Sequence, residues 1–205
     1  MVKDFTFATA MYESGDWESA PLLPGCVIDA LARYTSLSIA PMGVNVALGS
    51  PEIFNFPFVW LTGHLPVRFT DQERKNLKQY VERGGFMMID DHNHDQDGIF
   101  HKTMTEELTR TFGPLKEVPK THELYHCFFE FSDGPPATVA ELSGWGDQLV
   151  HKELHAVMPQ GDRIGLLYSL KDYSSEWNMH PDTKQFSTVD PTRFGVNMIV
   201  YALTR

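Results

Sequence analysis

Residues 57–91 constrain the fold more than any other part of the chain. Pro57-Phe58-Val59-Trp60-Leu61 is a short apolar run that stops at Thr62-Gly63-His64. Thr70 and Glu73 then have the spacing of a capping box, in which each side chain satisfies an orphan backbone N–H of the first helical turn. Leu77, Tyr80 and Val81 make the apolar stripe of that helix, and Gly84-Gly85 supplies a residue able to take positive φ and end it. Phe86-Met87-Met88-Ile89 is apolar at every position, as expected of a strand covered on both faces. Strand, helix and strand in this order form a βαβ unit, and a βαβ unit implies a parallel pair with the helix packed across it.

The flanking segments repeat the pattern. Phe5, Phe7, Thr9 and Met11 alternate with Thr6, Ala8 and Ala10, which predicts a first strand ending near Tyr12. Val27, Ile28, Leu31 and Tyr34 share one helical face. Thr103 and Glu106 predict a second capping box, with Met104, Leu108 and Phe112 as the stripe and Gly113-Pro114 as the stop. Residues 163–170 read as a late strand, and Asp190-Pro191 as the cap and first position of a last helix over 192–203. Residues 114–162, with Pro135-Pro136 and Gly144-Trp145-Gly146, are less regular and read as an elaboration of one domain spanning 1–205. A chain of 205 residues suits a single core. The expected class is α/β, a three-layer sandwich around a mostly parallel sheet.

Seventeen basic against twenty-seven acidic side chains give a net charge of −10, which repels phosphate backbones and argues against a nucleic-acid partner. No apolar run approaches the roughly 20 residues that span a bilayer. Cys26 and Cys127 fit neither a disulfide framework nor a paired-thiolate metal motif. Met1-Val2-Lys3 shows no signal peptide, which leaves cytoplasmic and exported locations both open.

In open α/β sheets ligands bind beyond the carboxyl ends of the strands. The polar residues crowd into the loops expected there: residues 12–17, Gly63-His64, residues 90–97 and residues 172–177. The densest is Asp90-Asp91-His92-Asn93-His94-Asp95-Gln96-Asp97. His92 and His94 are two apart, so in extended backbone both point the same way. With His64 from the neighbouring loop they offer three nitrogen ligands and leave an open position, the layout of a hydrolytic zinc, manganese or iron site. Asp91 is the candidate base or additional ligand. The calcium-loop reading of Asn93, Asp95, Asp97 and Gly98 fails, because Met104 stands where the closing Glu belongs. His151-Lys152-Glu153-Leu154-His155 has zinc-protease spacing, but Lys152 occupies the place of the general base, so the pair reads as two partly exposed histidines. His122 and His126 share that spacing and are candidates for the border of the same cleft. Asp172 and Glu176, beside Tyr173 and Trp177, suit acid–base work or sugar stacking, and equally a loop tied down by its own Asp. The same two readings apply to Tyr12, Asp16 and Trp17.

Taken in order, Tyr12…Gly15-Asp16-Trp17, Phe58-Val59-Trp60-Leu61-Thr62-Gly63-His64, Gly84 to Asp91, His122-Glu123-Leu124-Tyr125-His126, Tyr168-Ser169…Asp172-Tyr173 and Asn197…Tyr201-Ala202-Leu203 resemble the bacterial family catalogued as domain of unknown function 4159. The resemblance covers nearly the whole chain. It implies a flavodoxin-like fold of the class I glutamine amidotransferase type, related to the trehalose-utilisation group, in proteins that are often exported. It supplies no reaction. Amidotransferases of this fold need a cysteine on a tight strand-to-helix turn. Neither Cys26 nor Cys127 lies in a Gly-x-Cys-x-Gly elbow, so glutamine hydrolysis through a thiolate is not expected.

Two functions follow from these residues. One is a metal-assisted hydrolase of a small polar or carbohydrate-like substrate, with His64, His92 and His94 on the metal, Asp91 and Asp172 catalytic, and Glu176 orienting the substrate. The other is a non-catalytic module that binds a carbohydrate or a protein through Trp17, Trp145 and Trp177.

Overall fold

The computed structural model describes residues 4–178 and 189–205; Met1-Val2-Lys3, read above for an export signal, lie outside the described residues. Chain order runs β1 (Ala8–Met11), α1 (Leu23–Tyr34), β2 (Val44–Ala47), a 3-10 turn (Pro51–Asn55), β3 (Phe58–Gly63), α2 (Asp71–Glu82), β4 (Phe86–Asp91) and α3 (Ile99–Phe112). It continues through β5 (Lys116–Glu117), a second 3-10 turn (Glu123–Tyr125), α4 (Val139–Leu142), β6 (His155–Val157), β7 (Leu166–Ser169), α5 (Tyr173–Asn178) and α6 (Val189–Thr204). The seven strands form one sheet in the order β2-β1-β3-β4-β7-β6-β5. The first five in that order pair in parallel, and β6 and β5 close the edge antiparallel.

Alternation along the central strands builds two cores. Phe58, Trp60, Phe86 and Met88 pack with Leu31 of α1, Trp177 of α5 and Phe194 of α6. Val59, Leu61, Met87 and Ile89 point the other way, onto Leu77 and Tyr80 of α2 and Met104 and Leu108 of α3. That is why β3 and β4 are buried at all twelve positions, six in each. Fully burying each such large side chain contributes roughly 1.5–3 kcal/mol. Among the described residues no helix is long and apolar enough to cross a membrane.

This layering positions the site. The chain leaves β1 for α1 on one face and leaves its neighbour β3 for α2 on the other. It likewise leaves β4 for α3 on one face and its neighbour β7 for α5 on the opposite one. Two crevices therefore open at the carboxyl edge, one between β1 and β3 and one between β4 and β7. Such switch points are where open α/β sheets bind ligands.

The Thr70–Glu73 capping box is present, with Glu73 N–H donating to Thr70 Oγ1 at 3.2 Å and Thr70 N–H to Glu73 Oε2 at 2.8 Å. The box expected at Thr103 and Glu106 is not. α3 begins five residues earlier, at Ile99 after its cap Gly98, and Thr103 Oγ1 instead donates to Ile99 O at 2.7 Å while accepting from Val67 N–H at 2.8 Å. A mid-helix threonine bonding back to its own turn is a known competitor of the cap. A second box does exist where none was foreseen, Thr138–Glu141 at the start of α4. The late strand is only Leu166–Ser169, and α6 starts at Val189, so Asp190 and Pro191 lie inside its first turn. Asp90 and Asp91, expected in a loop, end strand β4, held there by parallel pairing with Thr62 and Gly63.

Candidate functional site

The β1/β3 crevice holds Asp16 and His64. The Asp16 carboxylate accepts the backbone N–H groups of His64 at 2.8 Å and Leu65 at 3.0 Å, and its second oxygen lies 2.7 Å from His64 Nδ1. Burial raises the Asp16 pKa, but these three donors outweigh it and hold the carboxyl below its ordinary value. Gly63 makes the approach possible. A Cβ there would come 2.2 Å from Tyr12 Oη and 2.8 Å from Asp16 Oδ1. His92 stacks on the His64 ring with centroids 4.3 Å apart. Its Nδ1 lies 3.2 Å from Ser19 Oγ and its Nε2 3.8 Å from Asp172 Oδ1. Burial, and then the neighbouring His64, push the His92 pKa down to about 4.

Beside this pair the strand ends carry three buried acids. Asp90 Oδ2 accepts from the N–H and the hydroxyl of Ser174, each at 2.7 Å, and burial pushes its pKa up to about 6 against those bonds. Asp91 Oδ1 accepts from Asn93 N–H at 2.8 Å, while Oδ2 is buried with no hydrogen-bond partner. Burial pushes its pKa up to about 8, opposed by the Asn93 bond and reinforced by the charges of Asp90, Asp95 and Asp147. Asp172 accepts from Ser175 N–H at 2.8 Å at the start of α5, and burial followed by the Asp90 charge raises it well above the ordinary carboxyl range.

The β4/β7 crevice holds a different histidine cluster. The sequence placed His64, His92 and His94 on one metal, but β4 ends at Asp91, residues 92 and 93 turn, and His94 takes φ 49°. The extended geometry that would align His92 with His94 is lost. The His94 ring swings away, with Nδ1 2.6 Å from Leu170 O and Nε2 2.9 Å from Leu149 O. Its company is Asp147, whose Oδ1 lies 3.6 Å from His94 Nε2, and His151, whose Nε2 lies 2.9 Å from Asp147 Oδ2. Among the described residues His94, Asp147 and His151 are a group whose ligand atoms all fall within 4.8 Å of one another, and they could hold a metal ion. His64, His92 and His94 form no such group.

The cluster is firmly built. Asp147 also accepts from Leu149 N–H at 2.9 Å and Gln96 N–H at 3.1 Å, and Asp147 N–H donates to His94 O at 2.9 Å. A Cβ on Gly146, at φ 60°, would sit 1.8 Å from His94 O, so only glycine lets the two loops meet. His94, Gln148 and Asp172 are the non-glycine residues with positive φ among those described, and all three flank this edge. Such strain persists where the surroundings over-determine it. Lys171 Nζ, fully buried, donates to both oxygens of Glu141 at 2.7 and 2.8 Å and to His151 O, and Glu141 Oε1 accepts from His151 N–H at 2.8 Å. Next to the cluster opens a cleft of about 710 Å³ lined by His101, His151, His155, Tyr168 and Lys152, among others.

A family model described as "Domain of unknown function (DUF4159)" matches residues 6–203. The chain belongs to the DUF4159 family. Comparison with curated proteins gives no match. Family membership brings no reaction with it, so what the DUF4159 chain does rests on the geometry just described.

Several other expected site residues do structural work in this DUF4159 chain. Tyr12 is buried and its hydroxyl donates to Thr62 O at 3.1 Å. Trp17 packs against the core on the α2/α3 face. Trp177 is buried between Trp60 and Tyr173, with ring centroids at 5.1 and 5.3 Å, and offers no face to a sugar. Glu176 is buried and accepts from Val139 N–H at 2.7 Å at the start of α4. His122 and His126 do not border either crevice. His122 caps the 3-10 turn, accepting from Leu124 N–H at 3.1 Å, and contacts Asp162 O ahead of β7, toward the amino end of that strand. His126 bonds Glu130 and Lys120 O. His151 and His155 share no helix face, because 151–154 is irregular and His155 opens β6.

Sequence reasoning missed Asp147, Lys171, Glu141 and Ser174. The available signals were a lysine directly after the apolar run 164–170 and an aspartate in a Gly-Trp-Gly-Asp turn.

Proposed function

We propose that this domain is a metal-dependent hydrolase of a small polar substrate, with the cation held by His94, Asp147 and His151 and the substrate in the adjoining cleft. The observation that carries this reading is the arrangement around His94. A neutral imidazole has one N–H, yet each His94 nitrogen faces a carbonyl oxygen. Nδ1–H donating to Leu170 O leaves Nε2 as a lone pair pointing at Leu149 O and Asp147, so a cation completes the set. A histidine that gives one nitrogen to a metal and the other to a backbone carbonyl is a recurrent feature of metal sites. Two imidazoles and a carboxylate suit zinc, manganese or iron, and three protein ligands leave a position for water. Bound there, a metal would lower the pKa of that water and polarise a substrate carbonyl or phosphoryl oxygen. This chain's own contribution is a rigid ligand set, braced by Lys171 and Glu141, and the buried Asp91 carboxyl, which becomes a proton acceptor only when ionised, above its raised pKa of about 8. The fold we read as flavodoxin-like, of the class I glutamine amidotransferase type, on the parallel order β2-β1-β3-β4-β7. Burial pushes the Cys127 thiol up to about 11, which disfavours a thiolate at that position.

Elemental analysis of chain purified without a His-tag, stripped with chelator and titrated with zinc, manganese and iron, tests the reading. One equivalent taken up, and lost in His151→Ala, is the expected result. No uptake of any of the three metals would dispose of it. A non-catalytic carbohydrate-binding module is the second reading, favoured by Trp145, 49% exposed on the loop that carries Asp147.

A further inference from the structure

We propose that the crevice between β1 and β3 holds a second, metal-independent catalytic site, in which His64, oriented by Asp16, takes the proton of a water attacking an uncharged acyl ester. This site is separate from the cation cluster and shares no residue with it.

Four observations carry the inference. The crevice is a switch point of the sheet, where the chain leaves neighbouring strands toward opposite faces. Asp16 is pinned by two backbone N–H groups, so its remaining oxygen, 2.7 Å from His64 Nδ1, fixes both the ring and its tautomer. Nδ1 then carries the proton and Nε2 the lone pair. The His64 side chain is 39% exposed, so the ring is open to solvent and substrate. The His92 ring, stacked at 4.3 Å, stops His64 from turning and gives the crevice a flat wall. A carboxylate holding an imidazole by Nδ1 is how proteins set a histidine up as a general base.

The loop is also held in place. Glu13 N–H donates to Glu73 Oε1 at 2.9 Å and Ser14 Oγ accepts from Arg68 N–H at 2.6 Å. The acids Asp16, Glu13 and Glu73 around the crevice, on a chain of net charge −10, disfavour an anionic substrate. In the reaction the water oxygen bonds to the acyl carbon while its proton passes to His64 Nε2. The ester C–O bond then breaks and His64 returns that proton to the departing oxygen. No co-reactant other than water is needed.

The test uses the whole chain, dialysed against EDTA, with p-nitrophenyl acetate as the probe. Saturable hydrolysis is expected. His64→Gln should lower kcat by about 100-fold or more, the usual contribution of a general base. Asp16 is a positioning residue. Asp16→Asn keeps an acceptor for the two amides but loses the carboxylate, so kcat should fall about tenfold with KM unchanged. His126→Ala should retain the wild-type rate, because His126 bonds Glu130 and Lys120 O and borders neither crevice. Circular dichroism and the thermal midpoint confirm folding, and where Asp16→Asn unfolds, the half-exposed His64→Gln decides. No saturable hydrolysis, an unchanged rate in His64→Gln, loss of the rate on EDTA treatment, or loss in His126→Ala overturns the proposal.

Discussion

Lys171→Met removes a fully buried cation whose Nζ lies 2.7 and 2.8 Å from the two oxygens of an equally buried Glu141. Burial lowers the lysine pKa and the Glu141 charge and hydrogen bonds work against that, so the pair stands or falls together. Methionine fills the stem's volume but leaves Glu141 uncompensated, a loss of about 3–5 kcal/mol for a buried pair broken on one side. In a chain of this size each kcal/mol moves the midpoint by about 2–4 °C, so the thermal midpoint should fall by roughly 6–20 °C. Glu141→Gln added to Lys171→Met removes the stranded charge and should recover a large part of that loss. Urea unfolding of the two single variants and the double variant closes the cycle. The same substitution also loosens His151, whose carbonyl accepts from Nζ and whose N–H donates to Glu141. Metal affinity should therefore drop about 10- to 100-fold, as when an outer-shell partner is lost. A Lys171→Met chain within about 1 kcal/mol of wild type, or a double variant no more stable than the single, would refute the claim that this pair braces the site.

Three further outcomes are expected. In metal-stripped protein Asp91 stays protonated to about pH 8 when folded but ionises near 3.8 when unfolded. The folded state therefore binds more protons between those values, so stability falls as pH rises from about 4 toward 8, by up to about 1.4 kcal/mol per pH unit from this group; Asp91→Asn should flatten that slope in urea melts, and an unaltered slope would contradict it. Gly146→Ala, which drives a Cβ into His94 O at a positive φ, should abolish metal uptake measured by calorimetry while most of the fold's circular dichroism remains. Thr70→Ala breaks the capping box of α2 and should cost about 1 kcal/mol in chemical denaturation.

The βαβ unit was legible because its signals are local. A capping box, a helical stripe and an apolar strand each declare themselves within a few residues, and Thr70, Leu77 and Phe86 do what their spacing says. The second capping box failed for the complementary reason. Thr103 and Glu106 have the right spacing, but burial of Phe100 against the α2/α3 core extends the helix back to Ile99. Packing decided where that helix begins, as it often overrides local preference.

The crowding of histidines and aspartates at the strand ends also followed from the sequence, because in an open parallel sheet the ligand crevices form among the loops beyond the carboxyl ends of the strands. How those residues divide did not. One positive φ at His94 sends its ring to Asp147 and His151, far along the chain, while His92 stays with His64. Trp177 and Glu176, which looked like ligand contacts, are core and cap because α5 folds onto Trp60 and α4. Backbone pattern and side-chain periodicity thus set the layers and the edge at which chemistry is placed. Which imidazole meets which carboxylate depended on loop conformation and on contacts between distant segments, and those exist only once the chain has packed.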